Sequence, residues 1–356
     1  MTRLILLGAG KIGETITHFL QASGDYTLTV ADQDPARLAP MAALGATMVR
    51  CEFGEPSALR ELIRGHEFVI SACPFHLTPA IAAAAVDVGA HYFDLTEDVA
   101  STRRVKALAT TARTALVPQC GLAPGFISIL AYAMTRKFDS LRDVQMRVGA
   151  LPVYPTNALK YNLTWSTDGL INEYCNPCEA IIDSRVHETL ALEEVEAFSL
   201  DGVAYEAFNT SGGLGTLCET LDGKVENLNY KTVRYPGHRD IVKMLIRDLR
   251  LGQRREILKD VLEESVPMTH QDVVLVFVTV SGMREGRLTQ ESFAKKIYSK
   301  TVDGKLYSAI QVTTAAGICA MVDMMRDRML PTRGFVRQED ADLERFLANR
   351  FGQHYG

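Results

Sequence analysis

"LILLGAGKIGETITHFL", residues 4–20, places a short apolar run directly before three glycines and a helical pattern of Ile12, Ile16, Phe19 and Leu20. The run predicts a buried strand, and the spacing after it predicts an amphipathic helix. Between them Gly8, Gly10 and Gly13 form a G-x-G-x-x-G turn. In such a turn the first glycine makes the tight bend, the second lets the backbone approach a pyrophosphate, and the third lets helix and strand pack closely. The backbone of Lys11 and Ile12 opens the helix, where unpaired N–H groups and the macrodipole favour phosphate.

A second strand, "YTLTVAD", ends in Asp32, at the spacing expected of the acid that holds an adenosine ribose. A carboxylate there repels a 2′-phosphate, and Gln33 follows where an NADP site would often carry arginine or serine, so NAD is the expected cofactor. The alternation then continues through "ATMVRCEF", a helix over about 56–64, "FVISACP", "PAIAAAAVDVG", "HYFDLT", a helix near 98–112 and "TALVPQCG". Short apolar strands alternating with amphipathic helices predict an α/β Rossmann-type doubly wound parallel sheet over residues 1–130. Ligands of such sheets bind at the carboxyl ends of the strands. That rule selects Ser71, Ala72 and Pro74, then Asp94, then Cys120 and Gly121. Asp94 reads equally as a catalytic acid and as a helix cap.

With 356 residues, 47% of them apolar and 23% charged, the chain is long enough for two cores. A net charge of −5 shows no basic excess for nucleic acid. The longest apolar run, "VVLVFVTV" at 273–280, is too short to span a membrane and reads as a strand. Met1 leads straight into the first strand, which leaves no room for a cleaved leader. The cysteines number seven and are scattered, so a reducing cytoplasm is expected rather than a disulfide framework. Cys175 and Cys178 have C-x-x-C spacing, but no second ligand pair stands nearby, and no metal is expected.

After about residue 138 the pattern changes to long strand-like segments, among them "DVQMRVGAL", "VEAFSLDGVAYEAFN", "KVENLNYKTVRY" and "LTQESFAKKIYSKTVDGKLYSAIQVTT". They predict a second α+β domain with a mainly antiparallel sheet over 131–309, helices near 167–175 and 237–251, and a hairpin turn at "VDGK". A helical segment over about 310–356 is expected to pack back on the first domain. Exposed strand edges suggest a homodimer or homotetramer.

The stretches "LLGAGKIG", "SACPFHLTPAIAAAAVDVGAHYFDLTED", "CGLAPGFISILA", "GALPVYPTNALKYNLTWSTDGLINEY", "TSGGLGTLCETL", "YKTVRYPGH" and "LPTRGFVRQEDADLERFLANRF" resemble, in this order, the saccharopine dehydrogenase-like family, and within it the bacterial L-lysine 6-dehydrogenases. The resemblance implies NAD-dependent oxidation at the ε-carbon of lysine to give allysine, which cyclises, with release of ammonia. Saccharopine-acting members of the family carry an arginine after a segment like "TWST", where this chain has Asp168, and this favours free lysine. The alternatives are a saccharopine or carboxynorspermidine-type dehydrogenase acting on a secondary amine, and a non-catalytic NAD sensor on the same fold.

Hydride leaves a carbon that bears a neutral amine, not an ammonium, so the site needs a proton acceptor. Asp94, His238 and Lys160 are the candidates, and the sequence does not choose among them. The α-carboxylate of the small-molecule amino-acid substrate suits a guanidinium or a set of backbone N–H donors. In "YKTVRYPGHRD", residues 230–240, Arg234 and His238 flank a Pro-Gly turn and read as that receptor, with Tyr161 beside them and Thr210, Ser211 and Gly212 adding donors. Lys231 and Arg239 read as solvated surface charges.

Overall fold

The computed structural model describes residues 1–356, which divide into two units, Met1–Ile129 with Gln311–Gly356, and Leu130–Ile310. In the first unit, β1 (Thr2–Leu7), β2 (Tyr26–Asp32), β3 (Thr47–Arg50), β4 (Phe68–Ser71), β5 (His91–Asp94) and β6 (Ala115–Val117) form a parallel sheet with a late strand, Gly334–Phe335. From one edge the order is Gly334–Phe335, β6, β5, β4, β1, β2, β3. The chain reverses direction across the sheet between β1 and β4, which is the switch point where doubly wound sheets take their ligands. Leu4, Ile5, Leu6 and Leu7 are all fully buried. That is why this strand reads as a continuous apolar run rather than an alternating one.

Residues 311–356 complete this unit through one buried carboxylate. Asp323 accepts hydrogen bonds from the Tyr26 hydroxyl at 2.7 Å, Asn349 Nδ2 at 2.8 Å and Arg350 Nη2 at 2.7 Å, and Arg326 Nη2 lies 3.1 Å away. Farther along, Tyr355 stacks on Phe126 with ring centroids 3.9 Å apart and donates its hydroxyl to the Thr313 carbonyl at 2.6 Å.

The second unit is built on β7 (Ser140–Pro152), β8 (Cys178–Ile182), β9 (Arg185–Thr189), β10 (Glu196–Leu200), β11 (Val203–Asn209), β12 (Val225–Arg234), β13 (Asp272–Arg284) and β14 (Arg287–Tyr298). Its order is β10, β11, β12, β7, β13, β14, with β8 pairing β12 and β9. Only the β7–β12 pair is parallel. The "VDGK" turn closes a separate small hairpin, Lys300–Val302 with Lys305–Tyr307.

Two segments depart from the sequence reading. The strand pattern read through "SAIQVTT" stops earlier, because the helix expected from about 310 begins at Ala309 and runs to Arg326. The buried Asp272 carboxylate accepts the N–H groups of Ala309 at 2.5 Å and Ile310 at 3.0 Å, which satisfies donors a helix start leaves open and outweighs the local β-branched pattern. The expected helix over 237–251 is shorter: His238–Lys243 passes into a wider π turn at Met244–Asp248, and a further helix, Arg255–Ser265, follows.

Replacing Asp323 by Ala leaves Arg326, Arg350 and Tyr26 without their shared acceptor, so denaturant melts should show a loss of about 2–4 kcal/mol. Limited proteolysis of that variant should cut first within 343–356.

Candidate functional site

The glycine turn of the first unit is built as its spacing implies. A Cβ on Gly8, whose φ is +104°, would lie 2.7 Å from the Ala72 carbonyl oxygen, and a Cβ on Gly13 would lie 2.1 Å from the Gly8 carbonyl oxygen. Both glycines are therefore demanded by the protein's own backbone. Gly10 differs, because nothing lies within 4 Å of where its Cβ would be and its φ of −72° suits any residue. A glycine with open space above it, at the N-terminus of the helix Lys11–Ser23, is a cradle that a side chain would fill. Asp32 stands beside it: its carboxylate accepts the Ala9 N–H at 2.7 Å and the Asp34 N–H at 2.9 Å. The residues present fit a dinucleotide. Lys11 contributes its backbone, whose carbonyl accepts Gln311 Nε2 at 3.3 Å, and Ile12 is half-buried.

At the ends of β4, β5 and β6 lies a second group. Asp94 is buried, and its Oδ1 accepts the N–H of Thr96 at 3.0 Å and of Gln119 at 2.9 Å. Gln119 holds a left-handed φ of 67°, a conformation uncommon for a side-chain-bearing residue, and the bond to Asp94 helps maintain it. Asp94 Oδ2 is buried with no hydrogen-bond partner, as is the hydroxyl of Ser71, its neighbour across the sheet. The Tyr92 hydroxyl, close enough to sense Asp94, reaches the Thr78 carbonyl at 3.5 Å. Burial pushes the Asp94 carboxyl up to about 6, against the two backbone donors that favour its charge.

Cys120 donates its N–H to the Asp94 carbonyl at 2.8 Å, and burial keeps its thiol well above the ordinary range. A Cβ on Gly125 would lie 2.0 Å from the Gly121 carbonyl oxygen, so the 121–125 loop closes on itself. Ala72 donates its N–H to the Leu7 carbonyl at 2.8 Å, and Pro74 precedes a short turn, Phe75–Leu77. The sequence reading missed Gln338, whose Nε2 donates to the Pro118 carbonyl at 2.7 Å and whose Oε1 is buried without a partner. No local signal marks it, since its contacts lie 220 residues away in the chain.

In the second unit the end of β12 and the turn after it carry a buried cation. Arg234 is 2% exposed, and its guanidinium lies 4.9 Å from the ring centroid of Tyr161 and 5.8 Å from that of Tyr174. Its Nε donates to the Tyr174 hydroxyl at 2.9 Å and its Nη1 to the Val233 carbonyl at 2.8 Å; neither partner is an acid. Burial opposes the charge, but Tyr174, Tyr161 and Glu173 outweigh it and hold Arg234 above its ordinary range. Tyr174 reaches this place from the last turn of the helix Thr167–Cys175, whose start is capped by Ser166 accepting the Gly169 N–H at 3.1 Å. The hydroxyl of Tyr161 is buried with no partner, as are Asn162 Oδ1 and Thr164 Oγ1. The orphaned Tyr161 hydroxyl, on a ring that lies against the acid-free guanidinium, could accept a polar ligand.

His238 is buried, with Nε2 3.0 Å from the Tyr174 hydroxyl and Nδ1 2.8 Å from the Leu159 carbonyl. Burial, reinforced by the charge of Arg234, lowers its pKa to about 3. Lys160 is exposed, in a left-handed conformation, and its Nζ donates to the Pro236 carbonyl at 2.8 Å. The Thr210 hydroxyl is taken up by Thr232 at 2.7 Å and that of Ser211 by the Pro177 carbonyl at 2.7 Å, while Gly212 supplies a left-handed bend.

Lys231 is not a solvated charge. It is buried opposite Arg147 in the β7–β12 pair, donates to the Glu194 carbonyl at 2.7 Å and lies 3.7 Å from Glu196, because its strand position faces into the sheet's covered side. Asp168 sits in the first turn of its helix and accepts Lys259 Nζ at 2.8 Å. The Cys175 and Cys178 thiols are both free, and burial pushes that of Cys178 up to about 12.

Family models described as saccharopine dehydrogenase NADP binding domain and saccharopine dehydrogenase C-terminal domain match residues 4–117 and 121–354. The chain is 23% identical over 257 residues to the saccharopine dehydrogenase (NADP(+), L-glutamate-forming) of Saccharomyces cerevisiae, a match that takes in 68% of this chain and 57% of that protein. It is 20% identical over 318 residues to the mitochondrial alpha-aminoadipic semialdehyde synthase of Bos taurus, 84% of this chain and 34% of that one. The chain thus spans only part of the length of these relatives. The solved structure of apo saccharopine dehydrogenase (L-Glu forming) from Saccharomyces cerevisiae has the same fold, with a TM-score of 0.79 at 16% identity over 100% of this chain and 96% of that one.

The two turn glycines separate folding from binding. Gly10→Val should leave the melting temperature unchanged and abolish dinucleotide binding measured by fluorescence titration. Gly8→Ala should instead lower stability by about 1–3 kcal/mol, through a strained φ and the clash with Ala72.

Asp94 gives a pH signature. The folded protein holds its proton up to about pH 6, whereas an unfolded aspartate releases it near ~3.9. Stability from this group is therefore full below ~4 and is lost as pH rises through about 6. Asp94→Asn, which cannot ionise, should gain on wild type by on the order of 2–3 kcal/mol as melts are moved from acid to neutral pH. Asp272, also pushed up to about 6 by burial, is present in both proteins and cancels in the comparison.

Proposed function

Because the chain belongs to the saccharopine dehydrogenase family, we propose that it is a nicotinamide-dependent oxidoreductase acting at a carbon–nitrogen bond of an amino acid, with L-lysine as substrate and NAD as cofactor. The observation that carries this reading is the buried Arg234 guanidinium with no acid bound to it. A desolvated cation of this kind, set between aromatic faces, suits one carboxylate. NAD rather than NADP is favoured by Asp32, whose buried carboxylate beside the glycine turn repels a 2′-phosphate.

A dinucleotide whose pyrophosphate was held by the glycine turn would supply a nicotinamide ring as hydride acceptor. The chain's own residues do the rest. Arg234 takes the α-carboxylate of lysine. The ε-ammonium, with an ordinary pKa near ~10.4, must lose a proton before hydride can leave, and of the three candidate acceptors Asp94 is favoured, because its Oδ2 is buried without a hydrogen-bond partner. His238 has both ring nitrogens bonded and is neutral, and Lys160 is exposed and donating to a carbonyl. The neutral amine gives up hydride from its ε-carbon to become an iminium ion, and water adds to that carbon and displaces the nitrogen to give allysine and ammonium.

Saccharopine is the competing substrate. Asp168 is itself an acid and takes up the one ammonium beside it, Lys259, which favours free lysine over a substrate with a second acid-bearing portion. β14 closes one edge of its sheet with an unpaired backbone side, which suits a homodimer or homotetramer, and seven free thiols fit the cytoplasm.

The test is turnover of lysine or of saccharopine with NAD or NADP, followed by the absorbance of the reduced nucleotide. Lysine with NAD should be the productive pair, faster in alkaline buffer; turnover of saccharopine alone would replace this reading with its competitor. Arg234→Lys should raise KM for lysine about tenfold or more while leaving NAD affinity as it was. Asp94→Asn should lower kcat by about a hundredfold or more.

A further inference from the structure

We propose that Tyr174 and His238 are positioning residues that fix the orientation and the free donors of Arg234. The inference rests on the reading that Arg234 receives a carboxylate.

The direction of every hydrogen bond in this group follows from one end. The Leu159 carbonyl can only accept, so His238 Nδ1, 2.8 Å from it, carries the ring proton. Nε2 is then a bare acceptor. The Tyr174 hydroxyl, 3.0 Å away, must donate its one hydrogen to Nε2. That leaves the phenol oxygen with lone pairs only, and it accepts Arg234 Nε–H at 2.9 Å. A carbonyl 75 residues before Arg234 in the chain thus determines which way its Nε–H points. With Nη1 donating to Val233, the guanidinium is pinned at two nitrogens, and Nη2 is the nitrogen without a protein partner.

The surroundings maintain this polarity. The His238 ring is stacked on Phe208 at 6.4 Å and meets the edge of Tyr161 at 5.3 Å, and Leu170, Val242, Ile246 and Leu258 wall its other side. The charged groups acting on the cluster are Arg234 itself and Glu173, which acts on Arg234 and Tyr174 through space. No carboxylate bonds the imidazole, and protonating it would place a second cation against Arg234 and turn the Tyr174 hydroxyl away. A neutral histidine in a single tautomer is the state in which all three bonds exist together. The helix that begins at His238 is held in place separately, by Glu206 accepting the N–H groups of Gly237 at 2.9 Å and Arg239 at 2.7 Å.

Two measurements test the proposal. In protein labelled with nitrogen-15 at histidine, the His238 signal, identified by its loss in His238→Gln, should show the Nδ1–H tautomer and no titration between about pH 5 and 9. An Nε2–H tautomer, or a titration in that range, overturns the relay whatever the substrate proves to be. In steady-state kinetics on variants checked for an unchanged melting temperature, Tyr174→Phe should raise KM for the amino acid about tenfold while kcat stays within about threefold and NAD affinity is unchanged. His238→Gln, which keeps an acceptor, should retain lower KM than His238→Phe, which keeps the volume without one. Equal KM for the two, or an unaltered KM in Tyr174→Phe, assigns these side chains to packing and overturns the proposal. Failure of wild-type protein to oxidise either lysine or saccharopine sinks the functional reading instead, and the tautomer still decides the relay.

Discussion

A guanidinium that has left water without an acid to meet it is the constraint around which the second unit is arranged. Moving such a charge into a protein interior is unfavourable by several kcal/mol even after relaxation. Cation–π contacts and a hydrogen bond from a charged donor each return about 1–2 kcal/mol, so the two tyrosine rings and the Tyr174 hydroxyl offset only part of the penalty around Arg234. On the proposed reading, the balance left over is what a bound carboxylate would offset. It also explains the local architecture: β12 delivers the arginine, the helix Thr167–Cys175 delivers the phenol, and the turn after β12 delivers the imidazole that orients the phenol.

The first unit solves the converse problem, a place for negative charge made of backbone alone. Gly8 and Gly13 are consumed in bringing helix, strand and the Ala72 carbonyl together, which leaves Gly10 as the open face. Asp32 and Asp94 are both buried carboxylates at strand ends, yet their environments differ. Both oxygens of Asp32 are occupied by backbone donors, whereas Asp94 has one oxygen so occupied and one bare. The bare oxygen of Asp94 leaves room for a proton that comes and goes.

How much of this the sequence disclosed follows from how local each signal is. The glycine turn, Asp32 and the strand-end position of Asp94 were legible because spacing along a few residues determines them. Arg234 was legible as a basic residue beside a Pro-Gly turn, but its burial was not. Its aromatic surround was only half visible: Tyr161 was selected, but Tyr174 lies on a helix 60 residues earlier and reads there as one more apolar position. Gln338 was invisible for the same reason, as was the acid that caps the helix at Ala309, Asp272, which opens a strand 37 residues before it. Lys231 was misread because strand alternation, not charge, decided its environment.

The Glu206 carboxylate, which grips the backbone on both sides of His238, has a consequence for how this chain can vary. Because the grip is to N–H groups rather than side chains, it tolerates exchange of residue type at 239 far better than a change in the number of residues, whereas position 237, at a φ of +95°, is held to glycine by its own backbone. One residue added or removed between Tyr235 and Arg239 would rotate the imidazole out of line with the phenol. Length, together with the glycine at 237, is the property that natural drift must preserve in this turn.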